Sequence, residues 1–562
     1  MQQQDCRNAT PQRAERTVRG AVWIIGIAGV AMGGLAICLR RMGYAVGGSD
    51  QGVYPPMSDM LAEAGVGWEE GFSRDHLRGW LAAHPESRVV VGNAIPRGNP
   101  ELEEALSRGC VLRSLPEMLR EDFLPGRLSV VISGTHGKTT TSNLAAWLLE
   151  RLGLEPGWLI GGRPCGLEES LRPAEPGHPM VLEGDEYDTV FYDKRSKFFH
   201  YWPRVLVINH VEFDHADIFD GLAPIRQAFR RLVNVVPENG LVLLNAETAE
   251  PCAVAARGLA PLVGFGATED SAYRLLDEVP VPGGSRFRFR LPADPGWMLG
   301  LEQGREDAAT RLEALIAERH PGIEAGNLGE SELAALGRAR LATPAAFVDV
   351  EVEAALTGAY NGRNILAALA VVDACGGERA RALTLLKEFS GPARRMDGYS
   401  CHNGLLLYDD FGHHPTAVRE ALAALRRRHP ERWITAVVEP RSNTSVRNVM
   451  QEAWVECLGT ADGVVMGALH RPWKYAPEEL FNFATARQTL AEKDVPFQQL
   501  DDPAAIAEFL EALLSGSCPA NGWETPAALD ASRHLWVIFS NGSFGGLRQR
   551  LLESLQGRPL ES

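Results

Sequence analysis

Nine cysteines are scattered through 562 residues, and no two of them form a Cys-x-x-Cys pair. That absence excludes a zinc framework or a disulfide-stapled domain and reads as reduced thiols in a cytoplasmic protein. No apolar run is long enough to cross a bilayer, so membrane insertion is not expected. The first twenty residues are polar and Arg-rich, without the apolar segment of a secretory signal. They read as a disordered extension, residues 1–20. Basic charge is in deficit: 56 Lys and Arg against 72 Asp and Glu leave a formal charge of −16, which argues against a nucleic-acid partner. Lysine is missing altogether between Lys197 and Lys387. What is present is ample apolar content, 45%, in a chain too long for a single core. About three domains are therefore expected.

The most informative stretch is Ser133-Gly134-Thr135-His136-Gly137-Lys138-Thr139-Thr140-Thr141. It follows an apolar run, Leu128 to Ile132, and opens a helical pattern, Asn143 to Leu152. A strand, a glycine turn and a helix beginning Lys-Thr make a phosphate cradle. Backbone N–H groups of the turn and the helix start point at an anion. Lys138 would reach the outer phosphates of a nucleotide, and the Thr139 hydroxyl would ligate Mg²⁺. The full P-loop pattern wants a glycine where this chain has Ile132, so the loop is a shorter variant.

The N-terminal part opens with a strand, Ala21 to Ile25, a loop from Gly26 through Ala28 and Gly29 to Gly33 and Gly34, and a helix to Met42. A second strand ends in Gly48-Ser49-Asp50. This is a βαβ unit whose turn can bind a diphosphate, with an acid where a ribose hydroxyl is usually held. Ala28 replaces the middle glycine of the dinucleotide fingerprint, so a tight helix–sheet turn is an equal reading. Gly92-Asn93-Ala94, after the strand Arg88 to Val91, is either a phosphate-side loop or a polar turn.

Beyond the cradle, Met180-Val181-Leu182-Glu183 is an apolar strand ending in acid, continued by Gly184-Asp185-Glu186. Val205 to Asn209 is another, followed by Glu212, Asp214 and His215. Open parallel sheets bind ligands at such strand ends, so Glu183 and His215 are candidates for metal and catalysis. Residues 265–345 lack sustained strand alternation and read as a peripheral insertion, helical over Glu306 to Arg319 and Glu330 to Leu341. An alanine-rich helix runs to Ala374 from Gly358-Ala359-Tyr360-Asn361-Gly362-Arg363-Asn364, where both asparagines have a plainer reading as helix caps. After Ser390-Gly391-Pro392, strands and helices alternate again to the end. Alternation of this kind predicts a third, Rossmann-like sheet. Asp410-Phe411-Gly412-His413-His414 and Glu439-Pro440-Arg441-Ser442-Asn443-Thr444 both lie just past its strand ends.

Together these stretches, with Arg395-Met396-Asp397, resemble the Mur ligase family, whose members join amino acids or peptides to UDP-linked muramic acid. The resemblance covers about Val22 to Leu555 apart from the insertion. It implies an α/β protein of three domains: a Rossmann-like UDP-sugar domain over 21–125, a central P-loop-type ATPase domain over 126–389, and a Rossmann-like peptide domain over 390–562. It implies ATP and Mg²⁺ as cofactors, with Lys138, Glu183 and His215 catalytic and Thr139, Glu183 and His215 on metal. ATP would touch Gly134, Thr135, His136, Gly137, Lys138, Thr139, Thr140, Asn361, Arg395 and Asp410. The UDP-sugar would touch Gly26, Ala28, Gly29, Gly33, Ser49, Asp50 and Asn93, and the incoming peptide Arg441, Ser442, Asn443 and His413.

The finer likeness lies in Val53 to Ser58, Gly92 to Ala94 with Arg97 to Pro100, Asp193 to Phe198 and Glu439 to Thr444. It implies UDP-N-acetylmuramate and the murein tripeptide L-alanyl-γ-D-glutamyl-meso-diaminopimelate as small-molecule substrates of a monomeric bacterial enzyme in cell-wall recycling. Tyr360 departs from the family's usual His, and the lysine-free stretch leaves no residue for the carbamylated lysine many members use. Lys194 to Lys197 either faces anionic substrate or is a solvated turn. Arg441 either grips a carboxylate or makes a surface ion pair. Three other functions stay open: an L-alanine-adding ligase, a UDP-sugar-binding regulator without catalysis, and a nicotinamide-dependent oxidoreductase. The last would leave Lys138 and Thr139 without a task.

Overall fold

The computed structural model describes residues 19–162, 164–302, 308–321, 327–516, 523 and 529–560. The expected extension over 1–20 therefore lies outside the described residues apart from Arg19 and Gly20. The chain forms two compact units. One holds the chain up to Asp122 with Thr189–Lys194, the other Phe123–Asp188 and the chain from Arg195 onward.

The first unit is built on a five-stranded parallel sheet in the order 67–70, 45–50, 21–25, 88–91, 111–113. Its central strands, Ala21–Ile25 and Arg88–Val91, are apolar and buried almost throughout, as a sheet covered on both faces requires. The first crossover helix is Val30–Arg41, one residue short of the expected end.

The second unit contains a ten-stranded sheet in the order 347–354, 284–292, 273–281, 262–266, 241–245, 205–208, 128–133, 179–184, 157–159, 171–172. Strands 128–133, 179–184 and 205–208 run parallel and adjacent, so their C-terminal ends open side by side. The buried helices Lys138–Arg151 and Ala359–Ala374 cover this sheet and share one apolar core with it.

Residues 265–345 are not the strand-poor insertion the sequence suggests. Tyr273–Val281, Gly284–Pro292 and Phe347–Ala354 form antiparallel ladders that extend the sheet. The period-two signal is plain in Arg286-Phe287-Arg288-Phe289-Arg290-Leu291: Phe287, Phe289 and Leu291 are fully buried, and Arg286 and Arg290 pair with Glu353 and Asp349 on the outer face. The helical signal of the stretch that follows masks it. That stretch does hold helices, Ala308–Arg319 and Glu330–Ala339; positions 306 and 307 lie outside the described residues. The second of these helices is no loose decoration. A Cβ at Gly337 would come 2.1 Å from the Cys252 carbonyl oxygen, so two backbones touch there.

The third sheet has seven strands in the order 497–499, 463–466, 433–438, 534–539, 406–410, 395–400, 558–559. It is parallel except for the last two, and the helix Pro415–Arg428 follows its strand 406–410.

One buried ion pair fixes the far end of the alanine-rich helix. Asp373 accepts from Arg379 Nε at 2.9 and 3.0 Å and from the Tyr273 hydroxyl at 2.5 Å, while Arg379 also donates to the Pro292 carbonyl. Removing one partner of such a pair strands the other charge away from water. Asp373→Ala should therefore cost about 3–5 kcal/mol in urea unfolding. A change within ~1 kcal/mol, the range of a surface pair, would contradict this.

Candidate active site

The phosphate-loop turn is held by two backbone conformations that need glycine. Gly134 (φ +127°) packs against Asn209 and the His210 amide, and Gly137 (φ +78°) against the side-chain amides of Asn209 and Asn364. A side chain at either place would collide with these groups as well as strain the backbone. Gly137 precedes the helix Lys138–Arg151, whose start has no side-chain cap, so the first-turn N–H groups stay available to an anion. Thr135 stitches the turn to the neighbouring strand end: its N–H donates to the His210 carbonyl at 2.8 Å, and its hydroxyl accepts from Glu212 N–H at 2.9 Å.

The two residues that open the helix are each tied to a buried carboxylate. Lys138 Nζ donates to the Gly134 carbonyl at 2.8 Å and to Glu186 Oε2 at 2.7 Å. The Thr139 hydroxyl donates to Glu183 Oε1 at 2.7 Å, and Glu183 Oε2 accepts from Gly161 N–H at 2.6 Å. His215 Nε2 lies 3.2 Å from the second oxygen of Glu186. Burial alone would raise the Glu186 carboxyl, but the Lys138 ammonium and the His215 ring together hold it down at about 2. Burial would lower His215; the Glu186 carboxylate beside it wins and raises it. Glu183 has no such partner: burial and the Asp185 charge push its carboxyl up. A buried carboxylate against a hydroxyl, with excess negative charge, is a donor set of the hard oxygen kind.

Lys138, Thr139, Glu183 and His215 line a cavity of about 260 Å³ together with Asp185, Tyr360, Asn361, Arg395, Asp410 and His413. The structure thus brings together the ATP-side residues expected from Thr135 to Thr140 with those expected from the third sheet. The asparagines do not cap their helix, which starts after Gly358. Asn361 donates to the Thr357 carbonyl at 2.8 Å, and Asn364 accepts from the Thr141 hydroxyl of the phosphate-loop helix at 3.2 Å. Asp410 accepts from the N–H groups of Gly412 (2.7 Å) and Met396 (2.9 Å), shaping the loops that carry Arg395 and His413. The sheets meet through side chains: the Thr444 hydroxyl donates to Asp214 at 2.8 Å, and His414 Nε2 to the Phe213 carbonyl at 3.1 Å.

A second cavity, of about 370 Å³, is lined by Asp214, His215, His413, Arg441, Ser442 and Asn443. Arg441 leans on Glu439 at 3.2 Å, so part of its fork is already engaged. The Ser442 hydroxyl is spent on Ser445 (2.9 Å), and Asn443 accepts from Tyr475 (3.0 Å). Lys197 is no solvated turn: it sits 4.0 Å over the Tyr187 ring, and burial lowers its ammonium.

In the first unit, Gly26 and Ile27 donate N–H to the Ser49 carbonyl, and Ala28 donates to Asp50 Oδ2 at 2.9 Å. Gly29 caps the helix Val30–Arg41 without a side-chain bond, while Gly33 packs against Met57. Asn93 is exposed at the end of strand Arg88–Val91. The Ser49 hydroxyl corrects the expectation placed on it: it is fully buried and donates to Glu101 at 2.5 Å, so only its main chain serves the loop.

Residues 22–122 match the Mur ligase family catalytic domain, 132–290 the Mur ligase middle domain, and 394–515 the glutamate ligase domain of Mur ligases. The UDP-N-acetylmuramate–L-alanyl-γ-D-glutamyl-meso-2,6-diaminoheptandioate ligase of Escherichia coli strain K12 is 33% identical over 95% of this chain and 98% of its own. The protein of that name from Haemophilus influenzae is 33% identical over 95% and 99%. This chain belongs to the Mur ligase family. The crystal structure of a murein peptide ligase from Psychrobacter arcticus superposes on this Mur ligase with a TM-score of 0.59 and 27% identity, covering 95% of this chain and 98% of that one.

Several residues of this Mur ligase site were not picked out from sequence. In sequence Glu186 is only the end of the stretch Gly184-Asp185-Glu186, yet it anchors both Lys138 and His215. Glu212 and His414 flank His136. His470, Arg471 and Lys474 line the second cavity, and their signal was available: their loop follows the strand Gly463–Met466, the ligand end of a parallel sheet.

The Glu186–His215 pair makes a pH prediction for this Mur ligase without divalent cations. Since its folded pKa lies above the ordinary 6.5, the pair contributes fully below pH 6.5 and is lost as pH rises through the raised value. Glu186→Gln should drop the His215 titration, followed by imidazole NMR, to 6.5 or below. An unchanged midpoint would show that Glu186 does not hold the ring.

Proposed function

We propose that this Mur ligase, an ATP-dependent amide-forming enzyme, joins L-alanyl-γ-D-glutamyl-meso-diaminopimelate to UDP-N-acetylmuramate. The observation that carries the reading is the pairing of Lys138 and Thr139 with two buried carboxylates at the head of one helix. The relatives that bear this activity in their names, and match nearly the whole chain, support the choice of substrates.

A carboxylate cannot accept an amine until oxide is made a better leaving group. In the reaction proposed, a muramoyl carboxylate oxygen attacks the γ-phosphorus of ATP and ADP departs, leaving an acyl phosphate. The peptide's N-terminal amine then attacks the acyl carbon, loses a proton, and phosphate is expelled. Phosphoryl transfer is chiefly positioning and charge neutralisation. The amides from Gly134 to Thr140 would seat the phosphates, and Lys138 would exchange Glu186 for a terminal phosphate oxygen. The hydroxyl of Thr139 and the carboxylate of Glu183 fit Mg²⁺, which when bound supplies neutralisation of the triphosphate charge. His215 would meet a second cation on giving up its proton. Asn361, Arg395 and Asp410 would frame the nucleotide, with Tyr360 in place of the family's usual His.

The loop Gly26–Gly33 and Asp50 would hold the UDP-sugar diphosphate and ribose in the first unit. The peptide would enter the larger cavity, where Arg441 presents parallel donors to a carboxylate. His413 would stand between the two cavities, which it lines in common. A reaction that draws on ATP and a nucleotide sugar would take place in the bacterial cytoplasm.

Incubated with UDP-N-acetylmuramate, ATP and Mg²⁺, the protein should release phosphate with the tripeptide far faster than with free L-alanine. Lys138→Ala should lower that rate by about 10²–10³. Preference for L-alanine would make the chain an alanine ligase instead, and turnover indifferent to Lys138→Ala would remove the catalytic reading.

A further inference from the structure

No step above uses Glu212 or the His414 ring, and His136 enters only through its backbone. These three side chains nevertheless converge. His136 Nε2 lies 2.9 Å from Glu212 Oε2, and His414 Nδ1 lies 3.6 Å from the same oxygen. All three donor atoms fall within 4.8 Å of one another, and among the described residues this is the group of such donors that does so. Around a tetrahedral ion with bonds of about 2.0–2.2 Å, neighbouring donors sit roughly 3.3 Å apart. The two distances bracket that spacing, so small rotations would complete the geometry.

The tautomer also fits. His414 Nε2–H is committed to the Phe213 carbonyl at 3.1 Å, which leaves Nδ1 as the lone-pair nitrogen. A ring whose other N–H is held by a backbone carbonyl is the arrangement metal-bound histidines show. Nδ1 accepts the N-cap hydrogen bond of its helix from Thr416 N–H at 3.3 Å, which an ion would replace. The hydrogen bond between His136 Nε2 and Glu212 is the contact an ion would replace, the ring keeping its proton on Nδ1. Both rings line the smaller cavity, which gives an ion a route in and leaves room for a fourth ligand.

Two imidazoles and one carboxylate are the donor set of Zn²⁺ and similar transition ions, not of Mg²⁺, which takes oxygen. We propose that His136, Glu212 and His414 form a binding site for Zn²⁺ or a like transition ion, distinct from the oxygen pair Thr139 and Glu183. The donors come from the phosphate loop, from the segment after strand Val205–Ile208, and from the N-cap of helix Pro415–Arg428. An ion held by all three ties the third sheet to the phosphate loop and fixes the backbone between Thr135 and Gly137. Occupancy thereby regulates how the loop receives a triphosphate.

Cobalt(II), a coloured stand-in for zinc, tests this on the intact protein in excess Mg²⁺. One equivalent of Co²⁺ should give the intense visible absorption of a four-coordinate nitrogen–oxygen site, and Zn²⁺ should abolish it. Glu212→Gln and His414→Gln should each lose the absorption and weaken Co²⁺ binding by more than the ~100-fold that an outer-sphere change costs. His215→Asn, which alters the other cation position, should retain both. Circular dichroism establishes that each variant is folded; if one of the first two is not, His136→Asn replaces it. Absence of the absorption in the unaltered protein, its survival in the folded site variants, or its loss in His215→Asn would overturn the proposal.

Discussion

A single buried carboxylate organises the centre of this enzyme. Glu186 lies between Lys138 and His215, and each side chain sets the charge of the others. Without the lysine and the histidine, the carboxyl would be too costly to ionise away from water. Without the carboxylate, Lys138 would be a buried cation lacking its ionic partner. The triad therefore keeps a positive charge at the mouth of the phosphate cradle before any phosphate arrives. In the reading proposed, a triphosphate entering the cradle would find an ammonium already placed and would need only to compete for it. Glu183, three positions earlier, lacks such an ionic partner, and burial together with the Asp185 charge raises its carboxyl.

The rest of the second unit is arranged to hold those few groups still. Strands 128–133, 179–184 and 205–208 lie side by side, so the loop, the acids and the histidine emerge at one edge. Asn364 and Asn209 meet the Thr141 hydroxyl beneath the loop, locking two helices and a strand end in one polar knot. The third sheet is fastened to that edge by Thr444 on Asp214 and His414 on Phe213. Residues distant in sequence thus line two cavities that share Asp214, His215 and His413, one holding Lys138 and Arg395 and the other Arg441, Arg471 and Lys474.

Much of this was legible because parallel sheets put chemistry at strand ends, where short motifs stand out against apolar runs. The cradle, Glu183, His215, Asp410 and Arg441 stand out in that way, and the structure sets Lys138, Glu183, His215, Asp410 and Arg441 in the linings of the two cavities. The hidden parts have physical reasons. Glu186 looks like a solvated acid in sequence, since nothing local announces that Lys138, 48 positions away, will fold onto it. Ser49 reads as a ligand contact because its position at the strand end is right, but its side chain points to Glu101 in the interior. The strands of 273–292 were obscured by charged residues on their outer face, which look helical when averaged with the Ala- and Glu-rich stretch beyond them. His470, Arg471 and Lys474 belong to a loop whose motif is diffuse, and only the cavity gathers them.

The central claim is that Lys138 changes partners, from Glu186 to a phosphate, when nucleotide is seated at the opening of helix Lys138–Arg151. A crystal structure of the protein with a non-hydrolysable ATP analogue and Mg²⁺ tests it most directly. The account predicts phosphate oxygens on the amides from Gly134 to Thr140, with Lys138 Nζ on the terminal phosphate and no longer on Glu186. A triphosphate bound elsewhere, or one in the cradle with the Lys138–Glu186 pair intact, would contradict it.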